Sequence, residues 1–105
     1  MVYPVTGFGV RQAPALAPVG VYGTRWCAAS QMVRRHLDRL GVPYSWVDLD
    51  LDPTAARQVA WLTGGDISHP TVSVGGEVLV EPSLGELDGA LARAGWIPDG
   101  GGHGD

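Results

Sequence analysis

Among the 105 residues there is one cysteine, Cys27, set in the stretch Tyr22-Gly23-Thr24-Arg25-Trp26-Cys27-Ala28-Ala29-Ser30. The apolar run Val19 to Tyr22 reads as a buried strand, and an amphipathic run with Met32, Val33, His36, Leu37 and Leu40 at helical spacing follows it. Cys27 therefore falls at a strand-to-helix turn, where unpaired backbone N–H groups and the helix dipole favour a negative charge. A thiolate there is stabilised, and Arg25 two residues earlier adds positive charge. The competing reading is a buried cysteine acting as a small hydrophobe. The turn and the adjacent Trp26 favour a reactive thiol. Three further features could do chemistry: His69-Pro70 in a polar loop, Ser30 three residues beyond the thiol, and carboxylates at alternate positions Asp48, Asp50 and Asp52. The carboxylates read as a solvated strand face ending in a helix cap rather than as a metal site. His36 reads as a helix-flank residue and His103 as a tail residue.

The elements that must position these groups follow from pattern and punctuation. A helix is predicted over about Ala28 to Leu40, with Met32, Val33, Leu37 and Leu40 toward the core, ended by Gly41 and Pro43. Residues Tyr44 to Leu51 alternate as a strand, with Val47, Leu49 and Leu51 on one face. Asp52-Pro53 is a cap followed by a first-turn proline, opening a second helix that ends at Gly64-Gly65. Val72 and Val74 form a short strand, Gly75-Gly76 a tight hairpin, and Val78 to Val80 its partner strand. Ser83-Leu84-Gly85-Glu86 is a capping box that opens a third helix running to about Ala94. The order is strand, helix, strand, helix, strand, strand, helix. It predicts an α/β domain with a four-stranded mixed sheet and three helices, its first two strands parallel. Residues 1–17 are expected as an N-terminal arm or edge strand, 18–97 as the domain and 98–105 as a flexible tail.

Composition narrows the partners. A net charge of −4, with all seven basic residues arginine, carries no nucleic-acid footprint. No apolar run approaches the ~20 residues of a membrane helix, and prolines 4, 14 and 18 break any export signal. One cysteine without such a signal points to a reducing cytoplasm.

Five segments together, VYGTRWCAAS (21–30), VDLDLDPTAA (47–56), GGD (64–66), HPTVSV (69–74) and EPS (81–83), resemble the small glutaredoxins of the thioredoxin fold, and within them the actinobacterial mycoredoxins. The resemblance spans about residues 18–95. It implies a cis bond before Pro70, with Pro70 facing Cys27 and the His69 backbone offered to a bound thiol. It implies a substrate surface of Arg25, Trp26, His69, Pro70, Ser83 and Leu84, the last two at a helix start suited to a carboxylate of a small thiol. The His69 side chain either pairs with the Cys27 thiolate and shuttles a proton, or points away from a surface loop. The usual Cys-x-x-Cys is Cys27-Ala28-Ala29-Ser30 here. Ser30 cannot resolve a mixed disulfide, though its hydroxyl can donate to the thiolate. Thr24 stands where glutaredoxins often carry lysine, which weakens the case for glutathione. The implied activity is that of a monothiol oxidoreductase taking mycothiol or glutathione as co-substrate and protein mixed disulfides as partners, as a monomer without metal. The alternatives are an inactive thioredoxin-like binding module and an iron–sulfur carrier as a thiol-bridged dimer; Ala28-Ala29 in place of Gly-Phe counts against the carrier.

Overall fold

The computed structural model describes residues 17–65, 67 and 69–98. The expectations for an N-terminal strand at 3–10 and for a tail at 100–105 lie outside them. The described elements are β1 (Val19–Gly23), α1 (Ala28–Leu40), β2 (Ser45–Asp48), α2 (Pro53–Thr63), β3 (Thr71–Val74), β4 (Glu77–Val80) and α3 (Leu84–Arg93). The strands form one mixed sheet in the order β2-β1-β3-β4. β1 and β2 are parallel, while β3 runs antiparallel to both β1 and β4. This is the four-stranded mixed sheet with three helices that the element order implied, and the thioredoxin-like fold that the resemblance implied.

The helices begin and end where local chemistry dictates. Gly41 (φ +72) closes α1 in the left-handed conformation, and the Val42 N–H bonds back to the Leu37 carbonyl at 3.0 Å. Asp52 caps α2, accepting from the Ala55 N–H at 3.0 Å. At α3 both halves of the capping box form: Ser83 Oγ accepts from the Glu86 N–H at 3.0 Å, and Glu86 Oε1 accepts from the Ser83 N–H at 2.7 Å.

The core divides by sheet face. Val19, Val21, Val72 and Val74 pack with Val33 and Leu37 of α1 and with Leu87, Ala90 and Leu91 of α3. A smaller cluster on the other face joins Leu49 to Ala55 and Val59 of α2, with Tyr22 and Val47 against it. His36 Nε2 meets Asp88 Oδ1 at 2.7 Å, so the residue expected on a helix flank links α1 to α3.

Three expectations are corrected. Met32 and Leu40 are exposed rather than in the core. The inner stripe of α1 is Ser30, Val33 and Leu37; Met32 is turned about 100° from Val33, and Leu40 lies in the final turn. The second strand is only four residues long, because the Asp48 side chain accepts from the Asp50 N–H (2.9 Å) and its carbonyl from the Leu51 N–H (3.0 Å), which turns the chain. Asp48 is consequently buried and Leu51 is exposed, against the expected alternation. Finally, the His69–Pro70 bond is trans, as no described peptide bond is cis. Trans is intrinsically favoured by about 0.5–1 kcal/mol. It also leaves the Pro70 carbonyl accepting from the Glu81 N–H at 2.7 Å and β3 starting at Thr71.

Candidate active site

The end of the sheet where β1 and β2 finish, β3 begins and β4 finishes collects most of the groups singled out above. The turn Thr24–Trp26 leaves β1 there. Cys27 is the N-cap of α1, extended at φ −85° and ψ 116° and half-buried, and its carbonyl accepts the first helical bond from Gln31 at 3.1 Å. Burial alone would push its thiol up. The Ser30 hydroxyl, then the backbone N–H groups of Ser30 and Ala29, outweigh that and hold the Cys27 pKa below its ordinary value, while the charge of Glu81 works against them. Ser30 Oγ is fully buried and has no full hydrogen bond in the resting structure, so its free capacity faces the thiol.

Close approach makes this possible. A Cβ on Gly23 would fall on Ser30 Oγ and lie 2.9 Å from Ser30 Cβ. Only glycine lets the first turn of α1 rest against the end of β1. Gln31 then straps the turn, its side-chain amide donating to the Arg25 carbonyl at 3.1 Å.

The acidic residues of the β2–α2 connection hold the same turn. Arg25 Nε lies 3.1 Å from the buried Asp48 Oδ2, and Trp26 Nε1 donates to Asp50 Oδ2 at 2.7 Å. Arg25 is thus an anchor of the turn rather than a partner of the thiolate. Asp52 caps α2 as expected, while Asp48 and Asp50, expected on a solvated strand face, position the cysteine loop instead. Trp26 remains 70% exposed beside the thiol. Behind the turn, the Arg34 guanidinium stacks over Trp46 at 4.2 Å.

His69 is exposed at the mouth of β3 with Nε2 3.5 Å from Glu81 Oε2, and Pro70 is buried. The structure therefore brings together Cys27 and Ser30, and pairs His69 with Glu81 at the same end of the sheet. Ser83 lies at the start of α3 with its hydroxyl and N–H both engaged by Glu86, and Leu84 is half-buried. Sequence reasoning missed Glu81, Gly23, Gln31 and the roles of Asp48 and Asp50. The regular Asp spacing and the glycine at the strand end were the available signals. Among the described residues no group of three His, Cys, Asp or Glu side chains could hold a metal ion, and no helix is long and apolar enough to cross a membrane.

Comparison with known proteins agrees with this geometry. The glutaredoxin family model matches residues 19–79. Proteins assigned to the glutaredoxins in two strains of Mycobacterium tuberculosis are each 30% identical over 78 residues, covering 73% of this chain and 93% of their own length. A glutaredoxin of Archaeoglobus fulgidus superposes with a TM-score of 0.63 at 21% identity, covering 72% of this chain and 87% of that one. A buckwheat glutaredoxin solved in complex with glutathione gives 0.60 at 23% identity, covering 77% of this chain and 82% of that one.

Proposed function

Because the chain belongs to the glutaredoxin family, whose chemistry is thiol–disulfide exchange, we propose that it is a monothiol oxidoreductase that removes a low-molecular-weight thiol, mycothiol or glutathione, from protein mixed disulfides. The observation that carries this reading is the placement of Cys27. The chain's one cysteine is the N-cap of α1, its thiolate favoured by the Ser30 hydroxyl and two first-turn N–H groups.

The Cys27 thiolate attacks the small-thiol sulfur of the mixed disulfide. A bond forms between Cys27 and that sulfur, the old S–S bond breaks, and the protein thiolate leaves with the electron pair. A second small thiol, deprotonated, then attacks the small-thiol sulfur on Cys27. The small-thiol disulfide departs and the Cys27 thiolate returns. Ser30 has no sulfur with which to resolve the intermediate, so the second small thiol is required. Attack depends on thiolate fraction and access. The first is supported by the lowered pKa, the second by the half-exposed sulfur.

Trp26 offers the substrate an exposed apolar face, and Arg25, His69 and Pro70 complete the near surface, with Ser83 and Leu84 beyond. Since the bond before Pro70 is trans, its contribution in this reading is shape and the anchoring of Glu81. Thr24, where glutaredoxins often carry lysine, weighs against glutathione. The protein acts as a monomer in the cytoplasm.

Turnover on a protein mixed disulfide, run with each thiol and with Cys27→Ser as control, tests this. The expected result is turnover with at least one thiol, abolished in the variant. A wild-type protein that turns over with neither overturns the proposal.

A further inference from the structure

Cys27 at the N-cap of α1, then Gln31 and Arg34 within it, follow at intervals of four and three residues and so share one face. Gln31 is tied to the chain on both sides of the sulfur. Its backbone N–H donates to the Cys27 carbonyl at 3.1 Å, and its side-chain amide donates to the carbonyls of Arg25 (3.1 Å) and Thr24 (3.4 Å). The Thr24 carbonyl also accepts from the Cys27 N–H at 3.3 Å. One side chain thus joins the turn that delivers Cys27 to the helix that Cys27 opens. The amide oxygen of Gln31 points the other way and accepts from Arg34 Nη1 at 3.3 Å. This orientation is forced from both ends, because a backbone carbonyl only accepts and a guanidinium only donates. Arg34 is clamped in turn. Its guanidinium lies 4.2 Å from the centre of the Trp46 ring, and its Nε donates to the Tyr44 hydroxyl at 3.4 Å. Trp46 itself reaches the crowded end of β1, since a Cβ on Gly23 would lie 3.5 Å from Trp46 Cη2 as well as on Ser30. These partners of Arg34 are uncharged, so its planar fork and stacking face do the holding.

We propose that Gln31 and Arg34 are positioning residues for the exchange reaction: Arg34, held by Trp46 and Tyr44, orients the Gln31 amide, and that amide fixes the Thr24–Trp26 turn so that the Cys27 sulfur is presented at the start of α1. This deepens the oxidoreductase reading and rests on it. Without the Arg34 contact the amide is free to turn its oxygen toward the Arg25 carbonyl, where two acceptors repel. The turn then loosens, and Cys27 loses its fixed place against the Ser30 hydroxyl and the first-turn N–H groups. Attack slows for two reasons. The thiolate fraction falls, and fewer molecules hold the sulfur in an attacking geometry.

The test is a double-mutant cycle of Gln31→Met and Arg34→Met, which keep a long side chain and good helix propensity. Three quantities are read on the reduced full chain: the midpoint of thiolate absorbance against pH, the alkylation rate with iodoacetamide, and the thermal melt. Each single variant should raise the midpoint and slow alkylation at fixed pH by about two- to tenfold, the span of one ordinary hydrogen bond. In the Gln31→Met background, Arg34→Met should move neither further, while still lowering the melting temperature through its lost contacts with Trp46 and Tyr44. An Arg34→Met effect on alkylation that is equally large without Gln31 is an effect of charge and overturns the proposal. Folded single variants with native midpoint and alkylation rate overturn it too, whatever their melting temperatures. Where Gln31→Met folds poorly, Arg34→Met decides alone: a slowing that persists at raised salt supports positioning, and one that salt abolishes is a screened charge effect that overturns it. The expected cycle without wild-type turnover on mixed disulfides would sink the oxidoreductase reading and leave the positioning roles standing. Wild-type turnover with unaffected single variants would do the reverse.

Discussion

Replacing Ser30 by alanine separates the acidity of the thiol from the stability of the fold. The change removes one oxygen that is fully buried, lacks a full hydrogen bond and acts on the Cys27 sulfur. The two backbone N–H groups that also favour the thiolate stay in place. A hydrogen bond to a charged group contributes ~1.5–3 kcal/mol when buried. Cys27 is only half-buried, so water replaces part of that, leaving about 0.7–1.4 kcal/mol, a three- to tenfold fall in the thiolate-to-thiol ratio at a given pH. The fold should not suffer, because an unpaired buried hydroxyl itself costs about 1–3 kcal/mol. Ultraviolet thiolate absorbance against pH, with the iodoacetamide alkylation rate as a second measure, reads the first effect; thermal melting reads the other. The folded thiol titrates below the unfolded one, so the thiolate contributes stability above the unfolded value and loses it as pH falls through the folded value. In Ser30→Ala that window should narrow. An unchanged titration midpoint, or a midpoint that rises only because the protein has lost its fold, would refute the assignment of Ser30.

Gly23→Ala should destabilise the protein by about 1–3 kcal/mol in denaturant melts and slow alkylation of Cys27, since the new methyl displaces Ser30 and with it the first turn of α1; an alanine variant with native stability and reactivity would show that the close approach is unnecessary. Arg25→Ala, which strands the buried Asp48 carboxylate, should cost about 1–2 kcal/mol, and adding Asp48→Asn should recover part of the loss, a coupling that a double-mutant cycle measures.

Much of the fold was legible because its punctuation is local. Gly41, Asp52-Pro53 and Ser83 with Glu86 each act within one helical turn, and the structure places helix ends at all of them. The reactive place of Cys27 was legible for the same reason, as a strand-to-helix turn is a neighbour-to-neighbour pattern. The misread features depend on partners distant in sequence. Alternation through Tyr44 to Leu51 looks like one long strand until Asp48 folds back on the Asp50 N–H and meets Arg25, more than twenty residues earlier. Glu81 is invisible in the sequence as a site residue. Only the pairing of Thr71 with Val80 brings the end of β4 beside the start of β3, and only a left-handed backbone at Glu81 accompanies its approach to His69.

Local and distant signals converge on one asymmetry at this end of the sheet. Three helices begin there, and each N-terminus leaves backbone N–H groups without intrahelical partners. Those of α2 and α3 are closed by the protein's own side chains, Asp52 at one and the reciprocal Ser83–Glu86 pair at the other. That of α1 has no side-chain cap bond, and the residue in the cap position is Cys27. A neutral thiol is a weak acceptor, whereas a thiolate is an anion in the place where Asp52 serves α2. Of the described side-chain atoms that are buried without a full hydrogen bond, Asp48 Oδ2 is held by the ion pair with Arg25, and the other three, Thr24 Oγ1, Ser30 Oγ and Thr71 Oγ1, also belong to residues at this end of the sheet. Stability alone would favour pairing or removing such groups, each costing about 1–3 kcal/mol if left unsatisfied. Of these, the Ser30 hydroxyl acts on the half-exposed sulfur, where it favours the negative charge that the site must hold and then surrender. It ties the acidity of Cys27 to the same local geometry, Gly23 against Ser30, that fixes where α1 begins.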